Sequence, residues 1–204
     1  LWSDEMAMLG SKCPLGVLRL HPECLEVEIP IWTGLTDPWQ SFVIADWFLA
    51  NCSFRDERGG LWLKESDWWP LMWSQAMIAD GDATMVARAL LLTGHYDEGG
   101  RLLETIATSS YRSASPGFSY IVYPGGVYLH GGVGGMDPAT VLGAVARTTV
   151  ETLFGVEPHL DQKRLVIQPR LPSHWDHAAF ERAGLSMKWL RQDATQTLNI
   201  TTPQ

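Results

Sequence analysis

The sequence predicts a mainly α-helical fold whose last part consists of β-strands. Helix-start signals followed by apolar residues at helical spacing recur between residues 36 and 154, and polar and apolar residues alternate from about Arg164 onwards. The 204 residues include 46% hydrophobic and 19% charged side chains, which is typical of a globular protein and excludes a disordered one.

The first thirty residues predict a long irregular connection. Three prolines interrupt this segment, at positions 14, 22 and 30, and only short alternating stretches occur between them, at 17–20 and 25–29.

The first helix is predicted at 38–51. Asp37 is a typical N-cap, Pro38 suits the first helical position, and Gln40 completes a capping box. The apolar residues expected on its buried face are Trp39, Phe42, Val43 and Trp47.

Four more helices are predicted from similar signals, near 68–80, 83–93, 97–109 and 138–154. Short turns between them favour antiparallel helical hairpins. Strands then follow from the alternating apolar positions Leu165, Ile167, Phe180, Leu185, Met187, Trp189, Leu198 and Ile200.

Charge and composition exclude several classes of partner. The net charge is -8 and the basic residues are scattered, so a nucleic-acid partner is not expected. Residues 113–136 lack charge apart from His130, but their glycines and prolines exclude a membrane helix and predict a loop. Three separated cysteines form neither a disulfide framework nor a zinc motif, and no metal or cofactor is predicted.

Several runs of residues resemble one family. Residues 150–158 and 165–175, which include the pattern Pro-x-x-Pro-x-x-Trp, resemble the junction between helical barrel and β-sandwich in six-hairpin glycosidases. Residues 31–35, 66–74 and 115–118 are similar to motifs of a bacterial branch of glycoside-hydrolase-like proteins.

The resemblance implies a fold and a domain division. The fold would be the C-terminal half of an (α/α)6 toroid of helical hairpins followed by a β-sandwich segment, with residues 1–160 as partial barrel and 161–204 as partial sandwich. The chain opens at a leucine in mid-pattern without a signal peptide, so we expect a fragment completed by a missing N-terminal half of the barrel. The compartment stays open between periplasmic or secreted and cytoplasmic.

The resemblance implies that the protein acts on carbohydrates. An inverting glycoside hydrolase with two carboxylates would act on an oligosaccharide or polysaccharide. A sugar phosphorylase or epimerase on the same barrel and a non-catalytic carbohydrate-binding fragment remain alternatives.

The catalytic candidates are Asp137 together with Asp4 or Glu5. The resemblance implies a base in the loop before the last barrel helix, where Asp137 is the only carboxylate after Glu104. Asp4 and Glu5 follow Trp2 in an arrangement similar to a carboxylate-holding loop of the family. The alternatives are that Asp137 is an ordinary N-cap and that the acidic pair is solvated surface.

Aromatic residues and one histidine are the candidates for sugar binding. Trp32, Trp68 and Trp69 lie at loop-to-helix junctions, where their faces could stack on a pyranose ring; core packing is the alternative. Further candidates, in the glycine-rich loop, are Tyr123, Tyr128 and His130.

Overall fold

The computed structural model describes residues 2–3, 8–9, 24–64, 66–67, 78–112, 121–123, 127–129, 138–182 and 184–202. Over these ranges the chain has five α-helices and small antiparallel sheets of two or three strands. No helix in the described ranges is long and apolar enough to cross a membrane.

The α-helices are spread over the first three quarters of the chain. They are α1 (Cys24–Thr33), α2 (Pro38–Cys52), α3 (Asp80–Leu92), α4 (Tyr96–Arg112) and α5 (Pro138–Arg147). A π-helical segment (Thr148–Leu153) continues α5, and a short 3-10 turn covers Leu160–Gln162.

Among the described residues, each strand pairs with the strand before or after it in chain order, although α3 and α4 lie between β5 and β6. They are β1 (Trp2–Ser3), β2 (Met8–Leu9), β3 (Ser53–Arg55), β4 (Leu61–Leu63), β5 (Ile78–Ala79), β6 (Ile121–Tyr123), β7 (Val127–Leu129), β8 (Val156–His159), β9 (Arg164–Ile167), β10 (His177–Arg182), β11 (Leu185–Gln192) and β12 (Thr195–Thr201). The three-stranded sheets have the orders β5-β6-β7 and β10-β11-β12; the other pairs are β1-β2, β3-β4 and β8-β9.

The core is built around α3, which packs against α1, α4 and α5. Its side chains Ala87, Leu90 and Leu91 are fully buried, as are Leu102 and Ile106 of α4. Burial of this apolar surface is the main force that holds the helices together.

The irregular connection predicted for the first thirty residues is wrong over its last part, because α1 begins at Cys24. Cys24, Glu28 and Ile31 are buried at the i, i+4, i+7 spacing of one helical face. Pro30 lies inside this helix. The packing of α1 on α3 therefore outweighs the free-energy cost of a proline inside the helix. The prolines led the sequence analysis to predict an irregular segment instead.

The helix predicted at 38–51 is confirmed, but its predicted buried face is wrong for Trp39 and Phe42, whereas Trp47 packs against the core. The capping box of Asp37 and Gln40 is present, with the Gln40 amide donating to Asp37 Oδ1 at 2.8 Å. The buried residues are Ser41, Ile44, Ala45, Phe48 and Cys52. Trp39 and Phe42 are 63% and 49% exposed, because the helix face that contacts the core is the one that carries Ile44 and Phe48.

Two predicted segments differ from the structure in secondary structure. The helix predicted at 68–80 falls mostly outside the described residues, and its end is wrong because β5 occupies Ile78–Ala79. The loop predicted at 113–136 contains the hairpin β6-β7. β-branched and aromatic residues are enriched in strands, which explains why 121–123 and 127–129 pair.

The fold class expected from the family resemblance is wrong. The described residues are 48% helical and 28% strand, which does not describe a mainly α toroid. Hairpins of strands stand between the helices, as β3-β4 does after α2, so the helices do not form an unbroken series of hairpins. The helices predicted at 83–93, 97–109 and 138–154 are confirmed as α3, α4 and α5 with its π-helical end.

The strands predicted after Arg164 are confirmed as β9 to β12. They share the core with the helices, since Phe154 contacts Phe180 with ring centroids 5.4 Å apart. The proposed division between residues 160 and 161 stays a prediction.

Candidate functional site

An open cleft of about 450 Å³ lies between the start of α4 and the strands β11 and β12. We call it the α4 cleft. Its lining mixes aromatic, aliphatic, acidic, basic and amide side chains: Gly94, Tyr96, Asp97, Glu98, Pro169, Leu171, Ser173, Trp189, Arg191, Gln196 and Leu198. Its volume lies within the range typical of small-molecule sites.

The turn between α3 and α4 places the first turn of α4 at the cleft. Gly94 has a φ of +93°, a conformation that costs a non-glycine residue strain. The amide of His95 then donates to the carbonyl of Leu90 at 2.9 Å, which closes the end of α3. Tyr96 begins the next helix with 40% of its surface exposed.

Asp97 is held by Ser173 across the cleft. The Ser173 hydroxyl donates to Asp97 Oδ2 at 2.6 Å, and the Ser173 amide donates to Asp97 Oδ1. Partial burial acts to raise the pKa of Asp97, but the hydrogen bonds from Ser173 and the charges of His174 and Arg101 outweigh it and hold the pKa below its ordinary value. Asp97 is therefore an ionised carboxylate at neutral pH.

Arg191 forms the opposite rim of the cleft. Its guanidinium lies 5.0 Å from the centroid of the Trp189 ring, and it also donates to the carbonyl of Ser173. Trp189 is only 6% exposed. Arg191 therefore covers Trp189 and links β11 to the segment that carries Ser173.

That segment is 168–176, which we call the strap. Gln168 donates its amide to the carbonyl of Gly155 at 2.9 Å, and the buried Arg170 donates to the carbonyl of Thr152 at 3.1 Å. Pro172 packs on Gly100 of α4, where a Cβ would come within 2.1 Å of its ring. These contacts tie the strap to both neighbouring elements.

The far end of the strap meets Glu104 of α4. The Trp175 indole donates to Glu104 Oε1, and His174 Nε2 lies 3.1 Å from the same oxygen. His174 Nδ1 lies 3.9 Å from Asp97 Oδ1, so this ring stands between two carboxylates. The described residues include no group of three or more side chains suited to hold a metal ion.

A second polar cluster surrounds Trp32 at the end of α1. The guanidiniums of Arg88 and Arg147 lie 4.4 and 5.1 Å from the centroid of its ring. Glu151 pairs with both arginines, at 3.2 Å from Arg88 and 2.8 Å from Arg147. Trp32 is 40% exposed, and it stacks with arginine in the structure.

Glu28 lies one turn before Trp32 and is 1% exposed. Neither of its carboxylate oxygens has a hydrogen-bond partner within the described part of the chain. Burial, reinforced by the charge of Asp82 and opposed by that of Arg88, raises its pKa from 4.5 to about 9. Glu28 is therefore a neutral acid at pH 7.

The sequence-predicted site residues are only partly covered by the structure. Asp4, Glu5, Trp68, Trp69, His130 and Asp137 lie outside the described residues. Tyr123 and Tyr128 lie on the paired strands β6 and β7. Trp32 lies in the arginine cluster, away from the lining of the α4 cleft. The roles predicted for these residues stay predictions.

The residues that line the α4 cleft were not predicted as site residues. Asp97 is recognisable in the sequence as a helix start, and Trp189 as an inward position of a strand. The sequence Ser173-His174-Trp175 could have indicated the site, because it places polar and aromatic residues directly after Pro169 and Pro172. Nothing local in the sequence brings them next to α4.

No protein-family model and no curated protein matches this chain. The assignment to the six-hairpin glycosidases is therefore wrong: neither a family match nor the fold, with about five helices and small antiparallel sheets, supports a glycosidase barrel. The residues of the quoted Pro-x-x-Pro-x-x-Trp pattern form the strap.

Proposed function

We propose that this protein binds a neutral carbohydrate in the α4 cleft. The observation that carries the proposal is the lining of the cleft, which combines an exposed aromatic ring with both kinds of hydrogen-bonding group. Tyr96 supplies the ring, Asp97 and Glu98 supply acceptors, and Arg191 and Gln196 supply donors.

Sugars need this combination because each hydroxyl both donates and accepts hydrogen bonds, while the ring presents C–H groups to an aromatic face. An aromatic side chain that is 40% exposed at the cleft, as Tyr96 is, offers such a face. Two acidic side chains and one arginine leave the lining without the positive excess that an anionic ligand requires.

The ionised state of Asp97 does not suit it as the proton donor of a glycoside hydrolase. Glycosidic cleavage requires a carboxylic acid that donates a proton. Asp97 is held in its ionised form by Ser173, and both of its oxygens already accept hydrogen bonds from that residue. Such a carboxylate orients a neighbouring hydroxyl but does not protonate a leaving group.

Calorimetric titration with a panel of neutral oligosaccharides tests the proposal. We expect saturable binding that weakens about fivefold in Tyr96→Ala, the loss of about 1 kcal/mol of stacking. Trp39→Ala is the matched control, because Trp39 is 63% exposed and lies outside the lining of the cleft. The absence of binding across the panel, or equal weakening in both variants, contradicts the proposal.

An assay for newly formed reducing ends on the same panel distinguishes binding from hydrolysis. We expect no release of reducing ends. Release that disappears in Asp97→Asn shows instead that the cleft is catalytic, and the binding proposal is then replaced by a hydrolase.

A further inference from the structure

The ring of His174 lies between two carboxylates of α4. Its Nε2 atom lies 3.1 and 3.3 Å from the two carboxylate oxygens of Glu104, and its Nδ1 atom lies 3.9 Å from Asp97 Oδ1. The two acids occupy positions i and i+7 of α4, which lie on one face of the helix. Each ring nitrogen of His174 therefore faces an acceptor.

The protonation state of the ring decides how many of these contacts are favourable. A neutral imidazole has one N–H donor and one nitrogen lone pair, so it can donate toward only one of the two acids. Its other nitrogen then presents a lone pair to a negative charge. The imidazolium form directs an N–H toward both acids and carries the opposite charge. The geometry of this cluster therefore suits the protonated ring.

The same contacts hold one side of the α4 cleft in place. Ser173 and His174 are both exposed, so polar contacts rather than burial attach this part of the strap to α4. Ser173 donates its amide and its hydroxyl to Asp97, and Trp175 donates its indole N–H to Glu104. His174 lies between these two attachments and contacts both acids. Its charge therefore acts on the segment that places Ser173 at the cleft.

We propose that His174 is a pH-sensitive latch for the strap. Its imidazolium form holds Ser173 against Asp97, and loss of the proton loosens this side of the α4 cleft. Because the proton stabilises the attached strap, the attachment is strongest at low pH and weakens as the pH rises. The consequence for ligand binding rests on the proposed function, and carbohydrate binding should weaken in the same direction.

Other charged side chains stand near the latch on each segment that forms it. They are Asp97, Glu98, Arg101 and Glu104 of α4, Asp176 of the strap and Arg191 of β11. Carboxylates and guanidiniums ordinarily keep their charge between about pH 5.5 and 8, whereas a histidine ordinarily loses its charge there. The hydrogen bonds from Ser173 lower the pKa of Asp97 further from this range.

Hydrogen exchange of the Ser173 amide, followed by NMR at about pH 5.5 and 8, tests the latch without any ligand. After correction for the intrinsic exchange rate, we expect the protection factor of the wild type to fall at least about threefold at the higher pH. In His174→Gln it should be low at both pH values. In His174→Lys, which is charged at both, it should stay higher than in His174→Gln at pH 8.

His177→Gln is the matched control, because His177 is exposed at the start of β10, outside the strap. This variant should keep the pH dependence of the wild type. All four proteins retain the buried Glu28, so its effect on the stability of the whole fold is common to them. A protection factor that does not change with pH in the wild type, or a change that persists in His174→Gln, overturns the latch.

Calorimetric titration of the neutral oligosaccharide panel at the same two pH values tests the consequence for the cleft. We expect the dissociation constant of the wild type to rise at least about twofold at the higher pH, and that of His174→Gln to stay constant. If no oligosaccharide binds at either pH, the proposed function fails, while the exchange of Ser173 still decides the latch. Binding that is independent of pH, together with exchange that is not, overturns the coupling between latch and cleft.

Discussion

Asp97 and Glu28 are both acidic side chains on helices, but their surroundings are opposite. Asp97 stands at the exposed start of α4, where Ser173 donates two hydrogen bonds to it. Glu28 is buried in α1, where no described group donates to either of its oxygens. The pKa of Asp97 is lowered, and that of Glu28 is raised to about 9.

The comparison shows that the degree of burial and the hydrogen bonds that a carboxyl group accepts, rather than its residue type, decide its charge. Burial disfavours the ionised form in both cases. At Asp97 the hydrogen bonds from Ser173 and the charges of His174 and Arg101 overcome that effect. At Glu28 the charge of Arg88 is the one influence among the described residues that favours ionisation, and that arginine is also paired with Glu151.

The largest expected effect is a pH-dependent loss of stability caused by Glu28. Between its ordinary pKa of 4.5 and about 9, Glu28 is ionised in the unfolded chain and neutral in the folded protein. The folded state thus binds more protons, and the free energy of unfolding falls with rising pH by up to about 1.4 kcal/mol per pH unit.

Urea unfolding from pH 4 to pH 8 measures this effect in the wild type and in Glu28→Gln. The amide does not ionise, so the variant should lose this part of the slope and be more stable than the wild type at pH 8 by on the order of several kcal/mol. Glu57→Gln, at an exposed position of the β3-β4 turn, should leave the slope nearly unchanged. If the free energy of unfolding depends on pH with the same slope in wild type and in Glu28→Gln, the conclusion that Glu28 is neutral in the folded protein is contradicted.

The second effect concerns the attachment of the strap. Gly155 has a φ of +63°, and a Cβ there would lie 1.9 Å from the carbonyl oxygen of Gln168. Gly155→Ala should therefore lower the free energy of unfolding by about 2–4 kcal/mol, through the strained φ and the displaced strap together.

Gly34→Ala separates these two causes. Gly34 has a similar φ of +70°, but no atom lies within 4 Å of the added Cβ. Its loss should be about 1–2 kcal/mol, the cost of the left-handed conformation alone. Equal losses in the two variants would show that Gly155 is not tightly packed against Gln168.

The smallest effect is expected from Asp97→Asn, which weakens the hydrogen bonds from Ser173. Because the pKa of Asp97 is lowered by folding, its contribution is present above its ordinary pKa and is lost as the pH falls through the folded value. The side chain is 42% exposed, so solvent screening limits the loss at pH 7 to about 0.5–1.5 kcal/mol.

Glu98→Gln is the control for Asp97→Asn. Glu98 lies in the same first turn of α4 and has the same relation to the helix dipole. An equal loss of stability in both variants would show that the dipole, and not Ser173, accounts for the effect.

Local signals predicted the elements whose stabilising contacts lie close in sequence. The helix after Asp37 was predictable because its capping box joins residues three apart, and β10 to β12 were predictable because alternation marks one buried face. The hairpin β6-β7 was missed because its strands are only three residues long.

The α4 cleft could not be predicted in this way. Asp97 and Ser173 are 76 residues apart, and their contact depends on Gly100 accepting Pro172 and on Arg170 reaching the π-helical segment. The sequence shows the helix start at Asp97 and the proline-containing segment 168–176 separately. It does not show that they form two sides of one cleft.

The sequence by itself determined the positions of α2, α3, α4 and the C-terminal strands, because caps, glycine ends and periodicity act within a few residues. Only the tertiary structure decided that α1 is helical, that Ile44 and Phe48 face the core in place of Trp39, and that Glu28 is buried with no hydrogen-bond partner among the described residues. These features depend on which surface α3 offers to its neighbours, since burial is a property of the packed chain.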